Sequence, residues 1–233
     1  MGWESLLQEV RASVRPRLVV RPDPAATPGS VALLAGSFDP ITIGHAAMAD
    51  AAMEQADLVV LVYAVRTLPK EGAPEPPLLG EIDRLAWLDQ FRNSRERVAI
   101  GLSSHGLLAD QAEAASERFL GAELSVVVGS DKLLQLLDPA WYEDRDGTLG
   151  SMFERARVLY AVRAEDEGAV ATALESPETA RWRHRLERLA VPPQVAAVSS
   201  RDLRARHRRG EDIAPLVPEA VRPLLAQLRP GSP

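Results

Sequence analysis

Apolar residues follow two rhythms along this chain. Short, nearly unbroken runs occur at 31–35 (VALLA), 58–65 (LVVLVYAV), 97–102 (RVAIGL), 124–128 (LSVVV), 157–162 (RVLYAV) and 194–198 (QVAAV). They are rich in β-branched residues and apolar on both faces, as fully buried parallel strands are. Between most of them the spacing lengthens to every third or fourth residue, which predicts helices over 44–56, 81–93, 110–120, 131–137, 166–190 (broken at Pro177) and 200–209. Trp3, Leu6, Leu7, Val10 and Val14 predict an amphipathic N-terminal helix, followed by a Pro-rich linker, RPDPAATPGS, at 21–30. A last helix is expected over 218–228, with Pro218 near its first turn. Strand–helix alternation of this kind builds βαβ units with right-handed crossovers. The expected fold is therefore α/β, a doubly wound (Rossmann-like), mostly parallel sheet with helices on both faces and an N-terminal helical extension. Two regions follow: 1–30, helix and linker, and 31–233, the α/β domain. The Pro-rich stretch 69–80 reads as a loop over the sheet edge and a candidate lid.

Composition narrows the chemistry. The 233 residues contain no cysteine, which excludes disulfides, thiolate catalysis and Cys-ligated zinc. A formal net charge of -6 disfavours a nucleic-acid partner on bulk electrostatics. No apolar stretch is long enough to span a bilayer. The N-terminus mixes charges with apolar residues and lacks a signal-peptide core, so a cytoplasmic location is expected.

The segment LAGSFDPITIGHAAMAD, 34–50, holds the first candidate chemistry. Ligands bind at the carboxyl ends of strands in such a sheet, and Gly36 stands at the end of the first run. A glycine there permits close backbone approach to a ligand. The next helix starts near Gly44, so its free amides and dipole face the same space, an anion site. His45 at that mouth can bond a phosphate oxygen and become more cationic as charge builds. Taken alone, the same residues equally describe an ordinary strand–helix turn.

Their order goes further. Gly36-Ser37-Phe38-Asp39-Pro40-Ile41-Thr42-Ile43-Gly44-His45 closely resembles the G-x-F-D-P-x-[HT]-x-G-H motif of the nucleotidylyltransferase superfamily. The resemblance implies that Thr42 and His45 contact ATP phosphates, while Gly36, Ser37, Phe38 and Gly44 line the groove. Val198-Ser199-Ser200-Arg201-Asp202-Leu203-Arg204 resembles the second signature, I-S-S-[ST]-x-x-R, with Arg201 in place of a hydroxyl residue. Read from the residues, this is a strand end, a Ser N-cap and a helix closing at Gly210, with Arg201, Arg204 and Arg208 on one face. Ser199, Ser200 and Arg204 are the implied phosphate contacts.

Val127-Val128-Gly129-Ser130-Asp131 is similar to the G-[SAT]-D segment of nicotinate and nicotinamide mononucleotide adenylyltransferases, where it contacts adenosine. Asp131 also reads simply as an N-cap. Trp141 and Tyr142 could stack on a flat ring or anchor the core. Lys70 and Arg84 occupy places where the family puts a Lys after the second strand and an Arg in the following helix. His105 lies on the ligand side of the sheet.

The resemblance implies a direct, in-line transfer of the adenylyl group of ATP to a phosphate-bearing acceptor, with pyrophosphate expelled. Its expected catalytic residues are His45, Lys70 and Arg204. Gly129 and Asp131 join the ATP contacts, and Asp39, Arg84, His105 and Trp141 are expected at the acceptor. No metal ligands are expected; Mg²⁺ arrives with ATP. A nicotinamide or nicotinate mononucleotide is the favoured acceptor, as in NAD biosynthesis. Phosphopantetheine and a non-catalytic nucleotide-binding role are the alternatives. The partners expected are ATP and the acceptor, with neither nucleic acid nor membrane; homo-oligomerisation stays open.

Overall fold

The structure, a computed structural model, describes residues 2–66 and 76–228. In chain order its elements are α1 (Trp3–Arg11), β1 (Leu18–Arg21), β2 (Ser30–Ala35), α2 (Ile43–Met53), β3 (Leu58–Ala64), α3 (Glu81–Arg92), β4 (Val98–Ser103) and α4 (Leu108–Arg118). Then come β5 (Glu123–Gly129), α5 (Ser130–Leu137), α6 (Arg145–Arg155), β6 (Ala156–Ala161), α7 (Glu167–Glu175), β7 (Leu186–Arg188), α8 (Pro193–Ala196) and α9 (Ser200–Arg208), with 3-10 turns between some of them.

The strands form one sheet in the order β1-β4-β3-β2-β5-β6-β7. Every pairing is parallel except β1 on β4. The order reverses at β2, whose Leu34 pairs with Leu61 of β3 on one side and Val127 of β5 on the other. That reversal is the switch point, and the crevice above it is the ligand position of doubly wound sheets.

Alternate strand residues feed two cores. Ala32, Leu34 and Leu61 pack with α1 (Leu6, Leu7, Val10), α2 (Ala46, Ala49, Ala52) and α3 (Leu85, Leu88, Phe91). Leu33, Val60 and Val126 pack with α4 (Ala112, Ala115), α5 (Leu133) and α6 (Met152, Phe153). Helices on both faces explain why the strands carry no polar alternation. Among the described residues no helix is long and apolar enough to cross a membrane.

Several expectations need correction. The run 194–198 is the helical turn α8 and the segment leading into α9, not a strand. Pro192 and Pro193 precede it, and prolines supply a helical first turn while removing ladder donors. The expected helix 166–190 is α7, then a 3-10 turn at Ala180–Arg185, then the strand β7. β7 is short and largely exposed, so it has no apolar signature. The last helix is 3-10, Glu219–Gln227, with Pro223 inside and Pro218 as its N-cap; a proline there removes an α-helical donor. Residues before 30 also hold the unforeseen edge strand β1. α6 was hidden by Gly147 and Gly150, which lower helix propensity; Asp144 caps it by accepting from the Gly147 amide at 2.9 Å.

Candidate functional site

The loop after β2 folds back on itself. Gly36 N–H donates to the Val62 carbonyl at 3.1 Å. A Cβ on Gly36 would sit 2.8 Å from the Phe38 ring, so glycine is required there by packing. Phe38 has φ 46 and is fully buried, its ring centroid 5.1 Å from that of His45. A non-glycine residue in this region costs on the order of 1–3 kcal/mol. Burying the ring, worth about 1.5–3 kcal/mol, offsets it.

Thr42 and His45 close the first turn of α2 as a capping box. The Thr42 amide donates to His45 Nδ1 at 3.1 Å, and the His45 amide donates to Thr42 Oγ1 at 3.3 Å. An amide N–H can only donate, so Nδ1 is an acceptor and the ring proton sits on Nε2. Desolvation pushes the imidazole pKa down to about 4, the Arg163 charge adding to the fall and the Asp131 charge opposing it. His45 is therefore a neutral Nε2–H donor at neutral pH. The expectation of a histidine turning cationic is corrected, because its second nitrogen is committed to the helix cap.

The second signature, about 160 residues away, is stitched to the first. Thr42 Oγ1 donates to the Val198 carbonyl at 3.0 Å. Ser200 Oγ, buried, donates to the Pro40 carbonyl at 2.8 Å. Ser199 caps α9 by accepting from the Asp202 amide at 3.1 Å. A Cβ on Gly44 would lie 2.8 Å from the Val198 carbonyl oxygen and 3.0 Å from that of Val195. Gly44 is thus the contact point of α2 with the segment leading into α9. The hydroxyls of Ser199 and Ser200 are both used within the chain.

Asp39 is a hub. Its carboxylate accepts from the Leu79 amide at 2.8 Å and the Leu78 amide at 3.3 Å. Arg84 and Arg204 approach it at 3.4 and 3.5 Å. Arg204 Nη1 donates to the Asp39 carbonyl at 3.0 Å, while Arg84 donates to the carbonyls of Leu79 at 3.0 Å and Ser37 at 3.4 Å. Asp39 is 3% exposed. Two guanidiniums thus share one buried carboxylate beside the loop, and guanidinium groups suit an anion.

Across the switch point, Gly129 is the N-cap of α5, and Asp131 lies inside the first turn, not at the cap. Ser130 is fully buried and donates to Asp166 at 2.5 Å while accepting from the Arg163 amide at 3.3 Å. Asp131 pairs with Arg163 at 3.4 Å. Arg163 was missed in the sequence; its signal is a charge placed immediately after the apolar run 157–162, at the ligand end of a strand.

His105 sits after β4, with Nδ1 2.8 Å from Ser104 Oγ and Nε2 3.5 Å from Arg66 Nη1. Trp141 is 39% exposed on the 3-10 turn Pro139–Trp141. Tyr142 is the core anchor of that turn, its hydroxyl donating to the Leu136 carbonyl at 3.0 Å. Lys70 lies outside the described residues. The structure thus brings Gly36, Phe38, Asp39, Thr42, Gly44, His45, Ser200, Arg84 and Arg204 into one contact network, with Asp131 felt electrostatically from across the crevice.

Residues 33–147 match the family model described as cytidylyltransferase-like. A protein of Lachnoclostridium phytofermentans is 27% identical over 202 residues, 82% of this chain and 94% of its own. One from Chromohalobacter salexigens is 29% identical over 230 residues, 87% and 96% of the two chains. One from Halorhodospira halophila is 28% identical over 208 residues, 83% and 91%. Each carries the name "Probable nicotinate-nucleotide adenylyltransferase". With two signature segments laced together at the switch point of a doubly wound sheet, and with these likenesses, the chain is similar to the nucleotidylyltransferase superfamily and, within it, to proteins named as probable nicotinate-nucleotide adenylyltransferases.

Proposed function

We propose that this enzyme joins the adenylyl group of ATP to a nicotinic mononucleotide, nicotinate before nicotinamide, with release of pyrophosphate, a step of NAD biosynthesis. The carrying observation is the convergence of the Thr42–His45 cap and Arg204 on the one loop, 36–42, at the switch point. The names of the relatives support the nicotinate ring.

In this reading the acceptor's phosphate oxygen attacks the α-phosphorus of ATP. A P–O bond forms there as the bond to the β-phosphate bridging oxygen breaks, and pyrophosphate leaves with the electron pair. The nucleophile is already an anion near neutral pH, so no strong base is required. Rate then comes from alignment and from stabilising charge on the phosphates. His45 Nε2–H supplies a fixed donor, the first turn of α2 supplies amides and dipole, and Arg204 supplies the cation. Lys70 is assigned as a second cation. Removing one such donor costs roughly 10²–10³ in rate.

Mg²⁺ enters with the triphosphate in this scheme. Among the described residues no three His, Asp or Glu side chains gather to hold a metal. Asp39, the buried carboxylate of the loop, is engaged by two amides and two guanidiniums.

The test is pyrophosphate release from ATP and Mg²⁺ with nicotinate mononucleotide, nicotinamide mononucleotide or phosphopantetheine, alongside His45→Ala. Turnover with nicotinate mononucleotide, lost in the variant, is expected. Turnover with phosphopantetheine alone would reassign the acceptor. Silence with all three, while ATP binds, would overturn the reaction.

A further inference from the structure

The segment joining α1 to β1, residues 12–17, precedes the 33–147 stretch matched by the family model. Because β1 runs antiparallel to β4, with Leu18 opposite Ser103, this connector crosses the carboxyl end of β4. That end of a doubly wound sheet is where ligands bind.

The connector is held there by two side chains. Arg66, just past β3, donates from Nη2 to the Arg11 carbonyl at 2.7 Å and to the Ser13 carbonyl. Ser104, fully buried, donates from Oγ to the Arg15 carbonyl at 3.3 Å and accepts from the Arg17 amide at 2.9 Å. The Ser104 amide also donates to the Arg17 carbonyl at 3.0 Å. His105 joins the two anchors: with Ser104 donating to Arg15, Nδ1–H donates to Ser104 Oγ and Nε2 faces Arg66. A relay thus runs from Arg66 through His105 and Ser104 to the connector backbone. Arg11 adds a two-point bond to Glu81, at 2.7 and 2.8 Å, at the start of α3.

Val14 and Arg15 stand side by side on this segment. Val14 is 89% exposed, and the exposed Arg15 guanidinium makes no ion pair among the described residues. An apolar side chain beside an uncommitted cation suits a flat ring that carries an anionic group. The phosphate-binding elements follow β2, and the Gly129–Asp131 segment follows β5. An acceptor attacking in line opposite the leaving pyrophosphate has the β3–β4 side left to it.

We propose that the 12–17 connector is the wall of the acceptor site over β3 and β4, with Arg66 and Ser104 as positioning residues that hold it in place. This rests on the acceptor reading above.

The experiment compares the full chain with Arg66→Met, Arg66→Lys and Ser104→Ala. In Arg66→Met and in Ser104→Ala the KM for nicotinate mononucleotide should rise roughly tenfold, with the KM for ATP within about twofold and kcat within about threefold. Arg66→Lys, which keeps one donor to the carbonyls, should recover part of the loss. Tryptic cleavage after Arg11 and Arg17 should slow with the mononucleotide but not with ATP alone, and both Arg66→Met and Ser104→Ala should lose that protection. An unchanged acceptor KM in Ser104→Ala, beside a raised one in Arg66→Met, would make Arg66 a direct contact and overturn the wall. So would unchanged KM values in both, or a shared rise in both KM values with a lower melting temperature. No turnover of either nicotinic mononucleotide by the unaltered enzyme would instead remove the reaction on which the wall depends.

Discussion

The Ser200 hydroxyl donates to the Pro40 carbonyl at 2.8 Å, across 160 residues of chain. This bond joins the two segments that resemble the superfamily signatures. It makes Ser200 a fastener of the loop 36–42. Thr42 on the Val198 carbonyl and Arg204 on the Asp39 carbonyl add two more bonds between the same segments. Each signature presents its outward groups by spending its inward ones on the other.

Gly44→Ala tests how tight that seam is. The new Cβ would meet two backbone oxygens, at 2.8 and 3.0 Å, neither of which can rotate away. Overpacking of this kind costs about 1–3 kcal/mol, or roughly 2–10 °C in melting temperature for a chain of this size. A several-fold rise in the ATP KM should accompany it, because α2 and the segment before α9 are forced apart. Gly168→Ala is the control: nothing lies within 4 Å of its Cβ in the helix α7. It should be neutral or stabilising by about 0.4–1 kcal/mol. Equal melting of the two variants would refute the close-approach role of Gly44.

The legible parts of the fold were those with one environment along their whole length. β2 through β6 are buried on both faces and show it as unbroken apolar runs. β1, LVVR, is apolar but only four residues long, and β7, LER, is three residues long and largely exposed, so neither stands out. QVAAV misled because five apolar-rich residues suit a strand or a buried helical turn, and the prolines before it decide between them. At the site, the glycines, Thr42, His45 and Arg204 were visible as motif positions. The hub role of Asp39 was not, because its partners Leu78, Leu79, Arg84 and Arg204 are brought to it only by the fold.

Asp39→Asn removes a buried negative charge that faces both Arg84 and Arg204. An amide can still accept from the Leu79 N–H, so the main chain keeps a partner. Arg84 and Arg204 are left facing each other in a poorly hydrated site, their side chains 14% exposed. Removing one partner of a buried ion pair costs about 3–5 kcal/mol. The expected result is a loss near the lower end of that range in urea denaturation, with kcat falling at least tenfold as Arg204 is displaced. Wild-type stability in the variant would mean that the pairs are too long to matter.

Phe38 separates backbone strain from ring burial. Phe38→Ala removes a fully buried ring and should cost about 3–5 kcal/mol. Alanine remains strained at φ 46, whereas glycine is not. Phe38→Gly should therefore be the more stable of the two by about 1 kcal/mol, the reverse of the usual order of Ala and Gly. Alanine above glycine in chemical denaturation would show that the loop relaxes out of its left-handed turn once the ring is gone.

His45 makes stability depend on pH in a direction that its cap dictates. Its pKa is about 4 in the folded chain and 6.5 without the fold. Between those values the unfolded chain binds the additional proton, so acidification drains stability from the native state. The contribution is whole above pH 6.5, declines as pH falls toward about 4, and is absent below. The shift sets a ceiling of about 3 kcal/mol. His45→Gln keeps a side-chain acceptor for the Thr42 amide and does not titrate. The unaltered chain should therefore lose roughly 2 kcal/mol more than the variant between pH 7 and pH 4.5, read as the difference in unfolding free energy. Activity carries the same signature, because a neutral Nε2–H donor gives the kcat profile no His45 limb between pH 6 and 8. Parallel stability curves for the two proteins, or such a limb that vanishes in His45→Gln, would mean that the imidazole is not held neutral by the cap.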